Sequence, residues 1–218
     1  MGSDFLTSPF DNLLKPVDDH LIVHNELMTS LILGNKISIH STENGIPDID
    51  SLDIAIIGIP ENRNSIDYLG DDLNLNEIRK SFYNLFPGNW STRIADLGNL
   101  ILGENVEQTY GRIISLTSIL FEKNIIPIII GGSQDLLYAN YRAYDSFKNT
   151  VNLVNIDSNF DLGDSSKPIN NLSYLGKIIL EEPHNLFNYS NLGYQTYHNP
   201  QEEIDLMENL YFESYRLG

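Results

Sequence analysis

Short runs of branched aliphatic residues recur along the chain, with longer amphipathic stretches between them. Residues 54–59 (IAIIGI), 125–130 (IIPIII) and 151–156 (VNLVNI) have strand length and are followed by Pro60, Gly131 and Asp157. Such Ile- and Val-rich runs predict parallel strands buried on both faces. A shorter candidate, 93–97, ends at Gly98. Over 106–123, Val106, Tyr110, Ile113, Ile114, Leu116, Thr117, Leu120 and Phe121 recur at steps of three and four, which is the spacing of an amphipathic helix. Further helices are expected over 76–85, 136–147, 172–180 and 202–217. Polar stretches rich in Asn, Ser and Gly at 41–50, 63–72 and 161–171 read as loops. The alternation of strand and helix predicts an α/β fold, three-layered, with a mainly parallel sheet and helices on both faces. The chain reads as a single domain over 1–218, with 1–50 as an N-terminal extension.

Composition narrows the function. Hydrophobic residues make up 41% and charged residues 20%, so a packed core is expected and wholesale disorder is not. A formal net charge of −17 repels polyanions, which argues against nucleic acid and anionic membranes as partners. The chain has no cysteine, which removes disulfides, thiolate nucleophiles and Cys-type zinc sites together. Its N-terminus lacks a basic segment followed by an apolar one, and no stretch approaches the roughly 20 apolar residues of a membrane span. The expected location is the cytoplasm. The N-x-S sequons at Asn89, Asn171 and Asn188 matter only in a secretory compartment.

In open α/β sheets, ligands bind beyond the carboxyl ends of the strands. Two segments lie there: Gly131-Gly132-Ser133-Gln134-Asp135 after 125–130, and Asp157-Ser158-Asn159-Phe160-Asp161 after 151–156. Together with IAIIGIPENRNS and IADLGNLILG, these segments resemble the arginase, agmatinase and formiminoglutamase (ureohydrolase) superfamily over about residues 50–165, with its GGDHS and DAHxD signatures. The nearest branch is formiminoglutamase-like, with GGSQD in place of GGDHS. The resemblance covers the N-terminal part of the family fold and implies an arginase-like sheet incomplete towards the C-terminus.

It also implies a site. Active members hold two manganese ions through a histidine of the first motif, two aspartates and a histidine of the second, and two aspartates of a later strand. A bridging hydroxide attacks a guanidinium or formimidoyl carbon. Carried across, Gln134 stands in the first histidine position and Ser133 in the adjoining aspartate position. Asp157 and Asp161 keep the aspartates, and Asn159 replaces the second histidine. An amide oxygen is a weak neutral ligand where imidazole is a good donor. The five histidines, His20, His24, His40, His184 and His198, all lie outside the motifs, and the later strand is not identifiable.

Other readings compete. Asp157, Asn159 and Asp161 alternate as in a calcium loop, but Leu162 and Pro168 stand where Gly and Glu are required. The carboxylates could instead order the loop by accepting backbone N–H bonds. Gly131 and Gly132 could cradle an anion, or simply permit a close backbone approach. Asp135 suits the N-cap or first turn of the next helix. Tyr138, Tyr141 and Tyr144 with Arg142 fit helix packing more simply than a pocket. Trp90 reads as an anchor at a loop-to-strand junction. Glu181, Glu182 and residues 201–205 read as solvated charge, and 208–214 (ENLYFES) as part of the last helix.

Two functions of different class follow. One is a non-catalytic binding or scaffold protein that needs no cofactor; the other is a Mn2+-dependent hydrolase of linear amidines with an altered metal site. Partners are expected to be a second copy or another protein. A sheet lacking its later strands would expose an apolar edge. Light scattering across a size-exclusion peak is therefore expected to show self-association, and a stable, well-folded monomer would count against it.

Overall fold

The structure is a computed structural model that describes residues 10, 12–70, 73–89, 91–164 and 166–218. Trp90 lies outside these residues. The chain divides into two compact units, one drawn from residues 1–62 and 70–132 and the other from 63–69 and 133–218. Both are α/β, with sheets that are parallel except at one strand. No helix among the described residues is long and apolar enough to cross a membrane.

The first unit contains β1 (Leu14–Lys15), α1 (Asp19–Leu27), β2 (Ser38–Ile39), β3 (Ile54–Gly58), α2 (Asn76–Tyr83), β4 (Ile94–Leu100), α3 (Val106–Glu122) and β5 (Ile126–Ile130). Its sheet runs β1-β4-β3-β5, and β2 also pairs with β4. Ile54 pairs with Ile94 on one side and Ile126 on the other, so the strands predicted from composition do lie side by side in parallel. Part of the 1–50 stretch is built into this sheet. Leu14 pairs antiparallel with Leu100, and Ser38 pairs parallel with Ala95. Two-residue strands carry no periodicity, which is why the sequence pattern gives no sign of them.

β3 and β4 are buried on both faces, as their unbroken apolar character predicts. β5 differs: it is an edge strand of this sheet, and Ile126 and Ile128 are exposed. Helix α3 buries Ile113, Leu116 and Leu120 completely or nearly so. Its first turn is satisfied by the Asn105 side chain, which accepts from the Gln108 N–H at 2.8 Å, while the Gln108 side chain accepts from the Glu104 N–H at 3.0 Å.

An ion pair with no solvent exposure ties α2 to β4. The Arg79 Nε donates to Asp96 Oδ2 at 2.8 Å and Nη2 donates to Oδ1 at 3.1 Å. Arg79 also reaches the Asn99 side chain at 2.6 Å and the Gly98 carbonyl at 2.9 Å. The Tyr83 hydroxyl and the Gly98 N–H complete the shell of Asp96 at 2.8 and 2.9 Å. Gly58 makes room for this group: a Cβ there would sit 2.0 Å from Asn99 Oδ1 and 2.8 Å from Arg79 Nη2.

The second unit contains α4 (Leu136–Arg142), β6 (Val151–Ile156), α5 (Tyr174–Leu180), β7 (Leu186–Tyr194), α6 (Gln201–Asn209) and β8 (Glu213–Arg216), with a fully parallel sheet in the order β6-β7-β8. Tyr141, Phe160, Tyr174, Leu175, Ile178, Tyr189 and Met207 form its core. Here β6 departs from the two-sided burial its composition predicts. Its residues alternate, leaving Val154 60% and Ile156 83% exposed, so this sheet packs through one face.

The helix predicted over 202–217 stops at Asn209. Tyr211 takes a left-handed φ of 58°, and the Phe212 N–H returns to the Met207 carbonyl at 3.1 Å, a helix-terminating pattern. The ENLYFES stretch is thus a helix end followed by a strand, with Ser190 facing Glu213 and Leu192 facing Tyr215 in register. The helix predicted over 136–147 is α-helical only to Arg142 and continues as a tighter 3-10 turn, Ala143–Phe147. β7 has no counterpart in the predicted elements, because its Asn, Ser and Gly positions disguise a strand (LFNYSNLGY).

Removing one member of a fully buried pair leaves an uncompensated charge. Asp96→Ala is expected to lower the unfolding free energy by about 3–5 kcal/mol. Tyr83→Phe, which deletes one hydrogen bond, should cost about 1 kcal/mol. Urea denaturation followed by circular dichroism measures both.

Candidate functional site

At the end of β6 the chain enters Asp157, whose N–H donates to the Leu192 carbonyl of β7 at 3.2 Å. Asp157 Oδ1 accepts the Asn159 N–H at 3.1 Å, a local Asx turn, and Oδ2 accepts the side-chain amide of Gln134. Both oxygens of this carboxylate are therefore engaged by nitrogen donors. Asn159 Oδ1 accepts the Ser158 hydroxyl at 2.8 Å.

The loop is then clamped from behind by two asparagines. Asn199 Oδ1 accepts the Phe160 N–H at 2.8 Å, while its Nδ2 donates to the carbonyls of Ser158 and Gln195, each at 2.8 Å. Asn191 Nδ2 donates to the Asn159 carbonyl at 3.1 Å. Phe160 is fully buried against Tyr194, with ring centroids 4.9 Å apart. The carboxylate of Glu203, on α6, takes the N–H groups of Leu162 and Gly163. These fixed points turn Asp161 inward.

Asp161 adopts φ 58°, a left-handed conformation that Asp and Asn tolerate better than most residues, and is 3% exposed. Its own carbonyl accepts the Leu175 N–H at 3.2 Å, but neither side-chain oxygen has a hydrogen-bond partner among the described residues. Burial, followed by the charge of Asp157, lifts its carboxyl to about 7; the nearby Tyr174 hydroxyl works against this and Glu203 adds to it. Burial also raises Glu203 above the usual carboxylate range.

The remaining sequence candidates fall elsewhere. Gly131 and Gly132 have φ of 83° and 82°, and a Cβ on Gly131 would lie 2.2 Å from the Leu75 side chain, so this pair serves close backbone approach. The Ser133 hydroxyl donates to Asp135, which is buried in front of α4 and makes no cap bond with its side chain. Arg142 stacks over Tyr141 at 4.8 Å and Tyr138 at 5.6 Å, an arrangement of helix packing. Glu181, expected in solvent, instead accepts the Tyr138 hydroxyl. Among the histidines, His40 bonds the Leu97 carbonyl at 2.9 Å, and His198 lines a cavity together with Asp161 and Glu203.

Sequence reasoning missed Asn191, Asn199 and Glu203. In an Asn-rich chain the two amides carry no distinguishing pattern. The Asn199-Pro200 pair does mark the start of α6, and Glu203 lies one turn beyond it.

A dinuclear manganese centre is a poor match to these donors. Gln134 turns an N–H, not a lone pair, towards Asp157; Asn159 has its oxygen occupied; and no group of three His, Asp or Glu residues that could hold a metal occurs among the described residues. The unpartnered carboxylate of Asp161 is the one feature that a cation would satisfy.

Residues 52–217 match the arginase family. No curated protein sequence matches the chain. Among solved structures, formiminoglutamase of Trypanosoma cruzi with manganese superposes with a TM-score of 0.68 at 18% identity, covering 78% of this chain and 62% of that one. Formimidoylglutamase of Bacillus subtilis gives 0.62 at 19%, covering 79% and 60%. The agmatine ureohydrolase of Thermoplasma volcanium gives 0.63 at 17%, covering 89% and 64%. At these identities the likeness is one of fold, and the chain spans less than two thirds of each relative's length.

Because Asp161 holds its proton to higher pH in the folded chain than in the unfolded one, folding takes up a proton between the two values. The stability from this group is full below about pH 4 and is lost as pH rises through about 7. Asp161→Asn is expected to abolish that segment of the stability profile and to raise stability by about 1–2 kcal/mol at pH 8. Thermal denaturation from pH 4 to 8 tests it; an unchanged profile would show that Asp161 is ionised throughout.

Proposed function

Since the chain belongs to the arginase family, we propose that it keeps the family's fold as a binding or scaffold protein that does not catalyse the family's hydrolysis. The observation that carries this reading is the hydrogen bond from the Gln134 amide to Asp157. Two-metal hydrolysis needs carboxylate lone pairs turned towards the ions so that a bound water becomes a hydroxide at neutral pH. At Asp157 those lone pairs meet N–H donors from Gln134 and from the Asn159 backbone. The substitution thus removes a ligand and also neutralises its neighbour.

Apolar side chains presented by β6, Val154 and Ile156, support a protein-facing role, with a second copy or another protein as partner. The strong negative charge and the lack of a membrane-crossing helix among the described residues favour a partner in the cytoplasm over a lipid surface or a nucleic acid.

One observation favours a second reading. The unpartnered carboxylate of Asp161 would suit a Mn2+-dependent hydrolase of linear amidines, of formimidoylglutamate, arginine or agmatine type, with a rebuilt metal site. Formiminoglutamase and agmatine ureohydrolase are the names borne by the structural relatives.

Elemental analysis and calorimetric titration with Mn2+ separate the two. The purified protein is expected to carry no manganese and to give no tight binding. Gln134→His combined with Asn159→His should strengthen Mn2+ binding at least about tenfold, since two imidazole donors replace two amides. Two tightly held ions in the unaltered protein, with turnover of any of these amidines, would overturn the non-catalytic reading.

A further inference from the structure

Behind the second motif, a cavity of about 250 Å³ opens between the loop that follows β6 and the start of α6. Its wall combines two kinds of group. Asp161 and Glu203 bring carboxylates, and Leu172 and Pro200 bring apolar surface. The two acids play different parts. The carboxylate of Glu203 is engaged by the backbone N–H groups of Leu162 and Gly163, so it is anchored. Asp161 is 3% exposed, and neither of its oxygens has a hydrogen-bond partner among the described residues.

A buried carboxylate with both oxygens unanswered is costly, and a donor-only cation is the partner that satisfies it. The apolar wall beside it argues against a bare hard ion, which would seek a shell of further oxygens. Nor is the cavity shaped for a pair of manganese ions, because Asp157 and Asn159 spend their oxygens on Gln134, on the Asn159 N–H and on Ser158.

We infer that this cavity binds a small organic ammonium ion, with the N–H donors on Asp161, the positive charge shared with Glu203, and a short alkyl chain against Leu172 and Pro200. His198 and the Asn159 side chain border the same space and limit the length of the chain that fits. This inference rests on the non-catalytic reading of the site and names what the site binds. The clamp formed by Asn191 and Asn199 supplies the preorganisation, because the loop is held by protein hydrogen bonds and need not be ordered by the ligand.

The probe is n-butylammonium chloride, titrated by calorimetry into the full 218-residue protein at constant ionic strength set with NaCl. n-Butanol serves as the uncharged control, and Mn2+ is titrated in parallel. Saturable binding of one butylammonium per chain is expected, with no binding of n-butanol, and Asp161→Asn should weaken it by about tenfold or more because a charge-assisted hydrogen bond is lost. Glu203→Gln should weaken it by a smaller factor. If butylammonium gives no saturable signal, or binds Asp161→Asn as well as the unaltered chain, the cavity assignment fails. If Mn2+ is also silent in that case, the non-catalytic reading stands without it. Tight uptake of two Mn2+ ions would instead overturn the reading beneath.

Discussion

A charge taken out of water must have its lone pairs or protons answered by the protein, and much of this chain is arranged around that constraint. Moving an ion of carboxylate size into the interior costs several kcal/mol even after relaxation. Asp96 meets this fully: its two oxygens receive Arg79 twice, the Tyr83 hydroxyl and the Gly98 N–H. The demand spreads through the first unit. Gly58 must lack a side chain for the guanidinium to fit, and Asn99 must turn its oxygen to the same group. Helix α2 is thereby fixed in register on β4 by a polar contact, which is more directional than apolar packing.

The second unit applies the same rule to neighbouring carboxylates with opposite results. Asp157 is satisfied by Gln134 and by its own loop, whereas Asp161, four residues on, is buried without a partner. The difference comes from the backbone. Asp157 follows directly from a strand and faces the Gln134 amide. Asp161 is carried inward by a left-handed residue geometry and by the Asn199 bond to Phe160. A site that holds one neutralised and one unanswered carboxylate attracts a single positive charge more readily than a pair of dications.

Much of the fold was legible in the sequence, since β3, β5, β6 and α3 announce themselves through length and periodicity, which reflect burial directly. What was not legible depends on partners distant in sequence. β1 and β2 are strands only because β4 offers them edges, and β7 is a strand because its Tyr189 reaches a core supplied by three helices. The last helix failed at Tyr211, where a single left-handed residue overrides an amphipathic pattern that continues past it. For the site, both motif segments lie where the strand ends placed them. The bond between Gln134 and Asp157 was not foreseeable, because a sequence shows that a ligand has been replaced but not what the replacement does.

That distinction explains how motif residues can change without loss of the loop. If the DSNFD segment were held in shape by a metal, replacing histidine by amide would release it. Instead the carbonyls of Ser158 and Asn159 and the N–H of Phe160 are answered by Asn199 and Asn191, and those of Leu162 and Gly163 by Glu203. Every one of these bonds is made by a protein group outside the motif. The geometry of the strand end is therefore independent of any bound ion, and Gln134 and Asn159 can trade coordination for hydrogen bonding while the scaffold that presents Asp161 stays in place.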